Sequence, residues 1–178
     1  MSSLHLRYSA AALTAASTLA LSAPVLAAGL SVGVEIPRLQ VAEYHRPYVA
    51  IWIERADHSV ASTLSVWYDL KLKNAEGTKW LKDMRQWWRR TGRELQLPID
   101  GVSSPTRPVG QHQLEFTEGQ SPLNALPPGD YKLVVEAARE VGGRELVSIP
   151  FSWPATQATN LQAQGKTELG AITLQLKP

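Results

Sequence analysis

The stretch of this sequence best equipped for chemistry is Leu97 to Gly110, LPIDGVSSPTRPVG. Pro105 and Pro108 stiffen it, and Ser103, Ser104 and Thr106 supply small hydroxyls. Asp100-Gly101 is a dipeptide suited to a turn. The loop is expected to be exposed and to present a threonine hydroxyl, Thr106, beside the Arg107 guanidinium. Asp100 is expected to orient the loop through an Asx-type turn rather than to react. Composition alone describes an ordinary Pro/Ser/Gly connection equally well.

Other residue types offer less. The chain has four His and no Cys, which excludes disulfides, thiolate metal sites and a Cys nucleophile. His5 lies in the leader, and His45, His58 and His112 show no zinc-site spacing. His45, before Arg46-Pro47, could contact a metal, haem or cofactor; a lone histidine hydrogen-bonded at a strand edge accounts for it as well. His58 follows Asp57 in an evident turn. No nucleophile elbow and no Gly-rich phosphate loop occurs. No convincing catalytic constellation appears, and neither a catalytic residue nor a metal ligand is assigned.

The elements that must position the loop read as strands. Ser31–Gln40, Pro47–Arg55, Ser62–Leu72, Gln111–Thr117, Asp130–Arg139, Arg144–Trp153 and Glu168–Lys177 alternate at period two between Pro/Gly turns. About seven such strands predict an all-β antiparallel β-sandwich of immunoglobulin-like kind. Pro47–Arg55 is apolar on both faces, as a central strand beneath a second layer would be. Ser62–Leu72 is expected to set Leu64, Val66, Tyr68, Leu70 and Leu72 against Thr63, Ser65, Trp67, Asp69 and Lys71. Val141-Gly142-Gly143 looks like a hairpin tip. One segment breaks the pattern: Trp80, Leu81, Met84, Trp87 and Trp88 form an apolar stripe at helical spacing, predicting one amphipathic helix over about 79–91. Thr78 is its expected N-cap and Gly92 its stop. This helix closes one side of the sandwich, and its Trp residues could also offer stacking surface to a planar ligand. Tyr48, Trp52, Trp67, Trp80, Trp87 and Trp88 are the aromatic candidates for such an environment. Arg85, Arg89 and Arg90 make a basic face, either solvated or docking an acidic partner.

The 178 residues carry a formal net charge of +2, which gives no footing for a nucleic-acid groove. Residues 1–27 read as a secretory signal peptide. Arg7 supplies the positive region, Ala10–Leu21 an apolar run too short to span a bilayer, and Val25-Leu26-Ala27 a cleavage site. The expectation is export to the periplasm, cleavage near Ala27, no membrane insertion afterwards, and a single domain over 28–178. At roughly 150 residues such a domain can bury a sufficient core without disulfides.

Two resemblances sharpen this reading. Asp100-Gly101-Val102-Ser103-Ser104-Pro105-Thr106 resembles the acceptor motif of covalently flavinylated bacterial proteins: Asp, two variable residues, Ser or Thr, a small residue, Ala, and then the modified Thr or Ser. Asp100, Ser103 and Thr106 match in spacing and Gly101 is a common occupant; Ser104 and Pro105 stand where the motif prefers Gly and Ala. The resemblance implies FMN joined to Thr106 by an exported FAD:protein FMN transferase, with Asp100, Gly101, Ser103 and Arg107 around it. Secondly, HRPYVAIWIE, KWLKDMRQWWRR, DGVSSPTRPVG and LPPGDYKLVVEAARE resemble a bacterial family of predicted periplasmic proteins of unknown function. Its members resemble immunoglobulin-like sandwiches and often accompany PepSY-type membrane reductases, and some carry the flavin acceptor motif, which implies extracytosolic electron transfer. The alternative is a cofactor-free accessory module that binds a membrane protein or a metal- or haem-uptake partner.

Overall fold

A computed structural model describes residues 28–178; the expected signal peptide lies outside the described residues. Among the described residues, nine strands form two sheets that pack as a sandwich. The four-stranded sheet has the order β5 (Gly110–Thr117), β1 (Gly29–Ile36), β9 (Ala171–Lys177), β8 (Thr159–Gln164). The five-stranded sheet runs β4 (Ser103–Pro105), β3 (Val60–Tyr68), β2 (Tyr48–Arg55), β6 (Gly129–Ala138), β7 (Arg144–Trp153). Each of the seven expected strands is present. The two additions are β8, a polar edge strand, and β4, three residues that pair parallel with β3 inside the expected loop. Every other strand pair is antiparallel.

Between the sheets lies the main core. Val32, Val34 and Ile36 of β1, Val49, Ile51 and Ile53 of β2, and Leu133 and Val135 of β6 meet there. The Tyr131 hydroxyl donates to the Pro127 carbonyl at 2.6 Å, a tyrosine corner of the kind that holds Greek-key sandwiches at the start of a strand. The other face of β2 presents Tyr48, Ala50 and Trp52 to a second cluster with Leu81, Met84 and Trp87, so β2 is apolar on both faces because both are covered. The predicted alternation of β3 fails at one point. Register shifts between Ile51 and Trp52 and between Ile53 and Glu54 mark bulges on β3. Leu64 and Trp67 therefore both face the inter-sheet core, while Val66 and Tyr68 face outward. A bulge adds one residue and so reverses the facing of every later residue in its strand.

The covering segment is not one helix. It is a 3-10 segment, Lys73–Asp83, interrupted where Asn74 and Ala75 adopt positive φ (54° and 55°), followed by α1, Arg85–Arg90, after a break at Met84. The expected caps act otherwise. Thr78 donates its hydroxyl back to the Ala75 carbonyl at 2.7 Å. Gly92 leaves space against which the Trp87 ring packs, since a Cβ there would collide with that ring. The start of α1 is held from the sheet: Glu136 of β6, fully buried, accepts from the backbone N–H of Gln86 (3.0 Å) and Trp87 (2.7 Å). Leu81, Met84 and Trp87 are buried as the stripe predicts, whereas Trp80 is 51% exposed.

The loop between β8 and β9 is organised by one carboxylate. Glu145 accepts from the backbone N–H groups of Lys166, Thr167, Glu168 and Leu169 at 2.6 to 2.9 Å. Burial by itself would raise its pKa, but these hydrogen bonds outweigh it and hold the carboxyl below its ordinary value. A lowered folded-state pKa gives stability that is complete above the ordinary glutamate value, about 4.3. That stability is lost as pH falls from there through the folded value. The urea midpoint is therefore expected to drop on acidification below about pH 4.3. In Glu145→Gln it should start lower at neutral pH and change less over the same window, which equilibrium denaturation across a pH series measures.

Candidate functional site

Strand register brings the loop hydroxyl to a cleft. Tyr48 opens β2 opposite Ala138 at the end of β6, and the next pair is Val49 with Trp67. Tyr68 in turn lies beside Pro105. Pro105, Tyr68, Tyr48 and Ala138 thus form one row across the sheet, and Thr106 and Asp69 are each the next residue beyond it. The Thr106 hydroxyl donates to Asp69 Oδ1 at 3.3 Å. Gly77 brings the 3-10 segment against the Asp69 backbone carbonyl, where a Cβ would not fit.

The cleft has a volume of 510 Å³, and its walls include Thr106, Asp69, Tyr48, His45, Arg46, Trp80 and Arg139. Its rim is apolar: Tyr44, Leu72, Trp80 and Val141 line it and are all exposed large hydrophobic residues. Val141 stands at the tip of the β6–β7 hairpin with φ 50°, a conformation a β-branched residue rarely adopts. The hairpin expected there is closed by bonds between Arg139 and both Gly142 (3.0 Å) and Gly143 (3.1 Å).

The charged groups are held firmly. The Arg139 guanidinium makes a two-point pair with Glu168, Nε to Oε2 at 2.8 Å and Nη2 to Oε1 at 3.1 Å, both side chains 5% exposed or less. Its Nη1 is buried without a hydrogen-bond partner. The Glu168 contact, against the cost of burial, raises the Arg139 pKa further. Burial pushes the Tyr48 phenol up to about 12. A backbone hydrogen bond at Asp69 opposes that rise and the Asp69 charge adds to it, so Tyr48 is a neutral group across the physiological range. Tyr44 is likewise raised by burial, against the pull of Arg139 and Arg46.

The predicted site residues divide between the two faces of the loop. Ile99 to Val102 is a turn, with Val102 N–H donating to the Ile99 carbonyl at 3.2 Å and Gly101 at φ 73°. Ser103 locks it: its N–H donates to the Ile99 carbonyl at 2.8 Å while its hydroxyl accepts from the Ile99 N–H at 3.0 Å. Asp100 is exposed, and no hydrogen bond to its carboxylate occurs among the described residues, so the expected Asx turn is replaced by the serine lock. Ser104 is half-buried with its hydroxyl unpartnered. Thr106 is half-buried at the cleft. Arg107, the next residue along an extended chain, points the other way, its guanidinium 4.5 Å from the centroid of the buried Trp67 ring. Desolvation there lowers its pKa. The cations on the Thr106 side are Arg46 and Arg139, from distant parts of the sequence.

Of the aromatic candidates, Tyr48 and Trp80 line the cleft, while Trp52, Trp67 and Trp87 are fully buried. Trp88 lines a separate groove with Lys82, Arg85, Arg89 and Arg144. His45 lies on the cleft wall with Nε2 2.9 Å from Glu43 and Nδ1 3.5 Å from Glu140. No cluster of three or more metal-ligating side chains occurs among the described residues. Nothing in the sequence singles out Asp69 or Arg139. Asp69 reads as one more solvent-facing residue of an alternating strand, and Arg139 as the end of another.

A protein-family model described as "Predicted periplasmic protein (DUF2271)" matches residues 29–171, which takes in β1 to β8. No curated protein and no solved structure matches the chain. No helix among the described residues is long and apolar enough to cross a membrane.

Proposed function

The chain belongs to this family of predicted periplasmic proteins, and on that footing we propose that it is a flavin carrier, with FMN joined covalently to Thr106 and electrons exchanged with a PepSY-type membrane reductase. The observation that carries the reading is the placement of Thr106. The one hydroxyl at the right spacing from both Asp100 and Ser103 is half-buried on the wall of a 510 Å³ cleft. That volume is within the usual range of small-molecule sites, about 300–1,000 Å³.

The residues fit the group. Tyr44, Tyr48 and Trp80 offer aromatic surface to a planar ring. Arg46 and Arg139 are the cations available to a phosphate on Thr106, although Arg139 is already paired with Glu168 and the carboxylates of Asp69, Asp83 and Glu140 line the same cleft. Arg139 also has an unpartnered nitrogen. Arg107 would have to leave Trp67 to take part. Pro105 sits in an edge strand, where a missing N–H is tolerated. In the attachment step, catalysed by an FAD:protein FMN transferase, the Thr106 oxygen forms a bond to the FMN phosphorus of FAD. The pyrophosphate P–O bond breaks, AMP leaves with its electron pair, and the hydroxyl proton is released. Bound flavin supplies one- and two-electron chemistry, and the protein contributes position and surroundings.

The test is co-expression with such a transferase, followed by intact mass and in-gel fluorescence. A single FMN-sized adduct is expected in the wild type and none in Thr106→Ala. An unmodified mass beside an active transferase overturns the reading. It would favour a cofactor-free binding module, to which the exposed apolar rim of Tyr44, Leu72, Trp80 and Val141 also lends support.

A further inference from the structure

Among the described residues, Asp69 is the group outside the motif that comes within hydrogen-bond reach of the reacting atom. Its carboxylate accepts the Thr106 hydroxyl at 3.3 Å, and two features keep it there. The parallel pairing of β3 with β4 sets residue 69 beside residue 106, and the close approach of Gly77 fixes the Asp69 backbone. Around it stand Tyr48, held neutral by its raised pKa, Asp83 from the 3-10 segment, and Arg46 and Arg139 across the cleft.

We propose that Asp69 is the proton acceptor that this protein itself supplies for modification of Thr106. The inference rests on the flavin-carrier reading. At 3.3 Å the carboxylate lies at the long end of hydrogen-bond reach of the hydroxyl, and on tightening to it would direct an oxygen lone pair away from itself, toward an incoming phosphorus. As the Oγ–P bond forms and AMP departs from FAD, the proton passes to Asp69 Oδ1 and then to solvent. A carboxylate accepting the proton of an attacking hydroxyl is the arrangement used in other phosphoryl transfers to alcohols. General-base assistance of this kind contributes on the order of 10²–10⁴-fold to rate.

The experiment measures initial rates of FMN incorporation into full-length protein by intact mass, with purified transferase and FAD in excess. Wild type is compared with Asp69→Asn, Asp69→Glu and Asp69→Ala, each first confirmed folded by its thermal melt. Asn keeps an oxygen that can accept the hydroxyl hydrogen bond but cannot take the proton. It is expected to slow incorporation by on the order of 10²-fold while reaching the same final mass, and Glu is expected to recover much of the rate. Equal rates for wild type and Asn overturn the inference, and so does a slow Ala beside a normal Asn, which would assign Asp69 a positioning role alone. Absence of any adduct in wild type overturns the flavin reading and this inference together, and is recognised because no variant then acquires mass.

Discussion

Glu168→Ala is expected to destabilise the protein by about 3–5 kcal/mol, the cost of stripping one partner from a buried ion pair. The Arg139 and Glu168 side chains are 5% and 4% exposed, so the pair is largely shielded and the group left behind regains little hydration without moving into the cleft. The pair also ties the two sheets together. Arg139 follows β6 of the five-stranded sheet, and Glu168 lies in the turn leading to β9 of the other. Glu168 accepts in addition from the Gly143 N–H at 2.8 Å, so its loss leaves an orphaned donor at the β6–β7 hairpin as well as an unpaired guanidinium at the cleft. Equilibrium urea denaturation measures the loss. Replacing both members by apolar residues, Arg139→Met with Glu168→Leu, is expected to recover a large part of it, because the main penalty is the unpaired charge rather than the absence of the pair. A double substitution as unstable as Glu168→Ala would show instead that the hairpin bond to Gly143 dominates.

The second large effect is expected at Glu136. This carboxylate has no exposed surface and makes three contacts: the N–H groups of Gln86 and Trp87, and Arg144 Nε at 2.5 Å. In Glu136→Ala, Arg144 is exposed enough to find water, its side chain being 36% accessible. The two amides at the start of α1 are less free, and each buried donor left without an acceptor costs about 1–3 kcal/mol. The Trp87 amide is buried and the Gln86 amide only part-buried, so a loss of roughly 2–4 kcal/mol, short of two full penalties, is expected. Because α1 has only six residues, far below the length at which a helix holds itself in water, the loss should appear first as detachment of the cover. Trp87 emission is expected to shift to the red before the sheets unfold. Coincident fluorescence and far-ultraviolet transitions would contradict that order. Trp80 belongs to the same covering segment, so a loosened α1 also opens one wall of the cleft.

The contrast between Glu136 and Thr78 explains much of what the sequence conceals. Thr78 has the right residue type and offset to cap a helix beginning at residue 79, but α1 begins only at Arg85, and its first N–H groups are taken by a glutamate about fifty residues away, because β6 runs beneath it. Capping by local side chains is legible in a sequence; capping by a neighbouring strand is a product of packing. The same limit applies to β3. Its alternation reads correctly until the bulge, and nothing in STLSVWY announces an extra residue there, since a bulge answers to the register of the partner strand. β4 leaves no trace in the sequence because three residues carry no period, and β8 little, because an edge strand needs little apolar surface.

Period-two alternation determined the sandwich and the doubly apolar β2, the stripe at helical spacing the burial of Leu81, Met84 and Trp87, and the Gly142-Gly143 turn the hairpin at Val141. These depend on where apolar side chains and turn glycines fall along the chain. The Asp100–Ser103–Thr106 spacing is also legible in consecutive residues, but only through the resemblance to the flavin-acceptor motif. Only the tertiary structure decided that Thr106 meets Asp69 and shares a cleft with Tyr48, Trp80 and Arg139, and that Arg107 turns away to Trp67. Those neighbours come from separate strands and connections, and their meeting is set by strand register and by the opposite facing of successive residues, neither of which any local stretch of sequence contains.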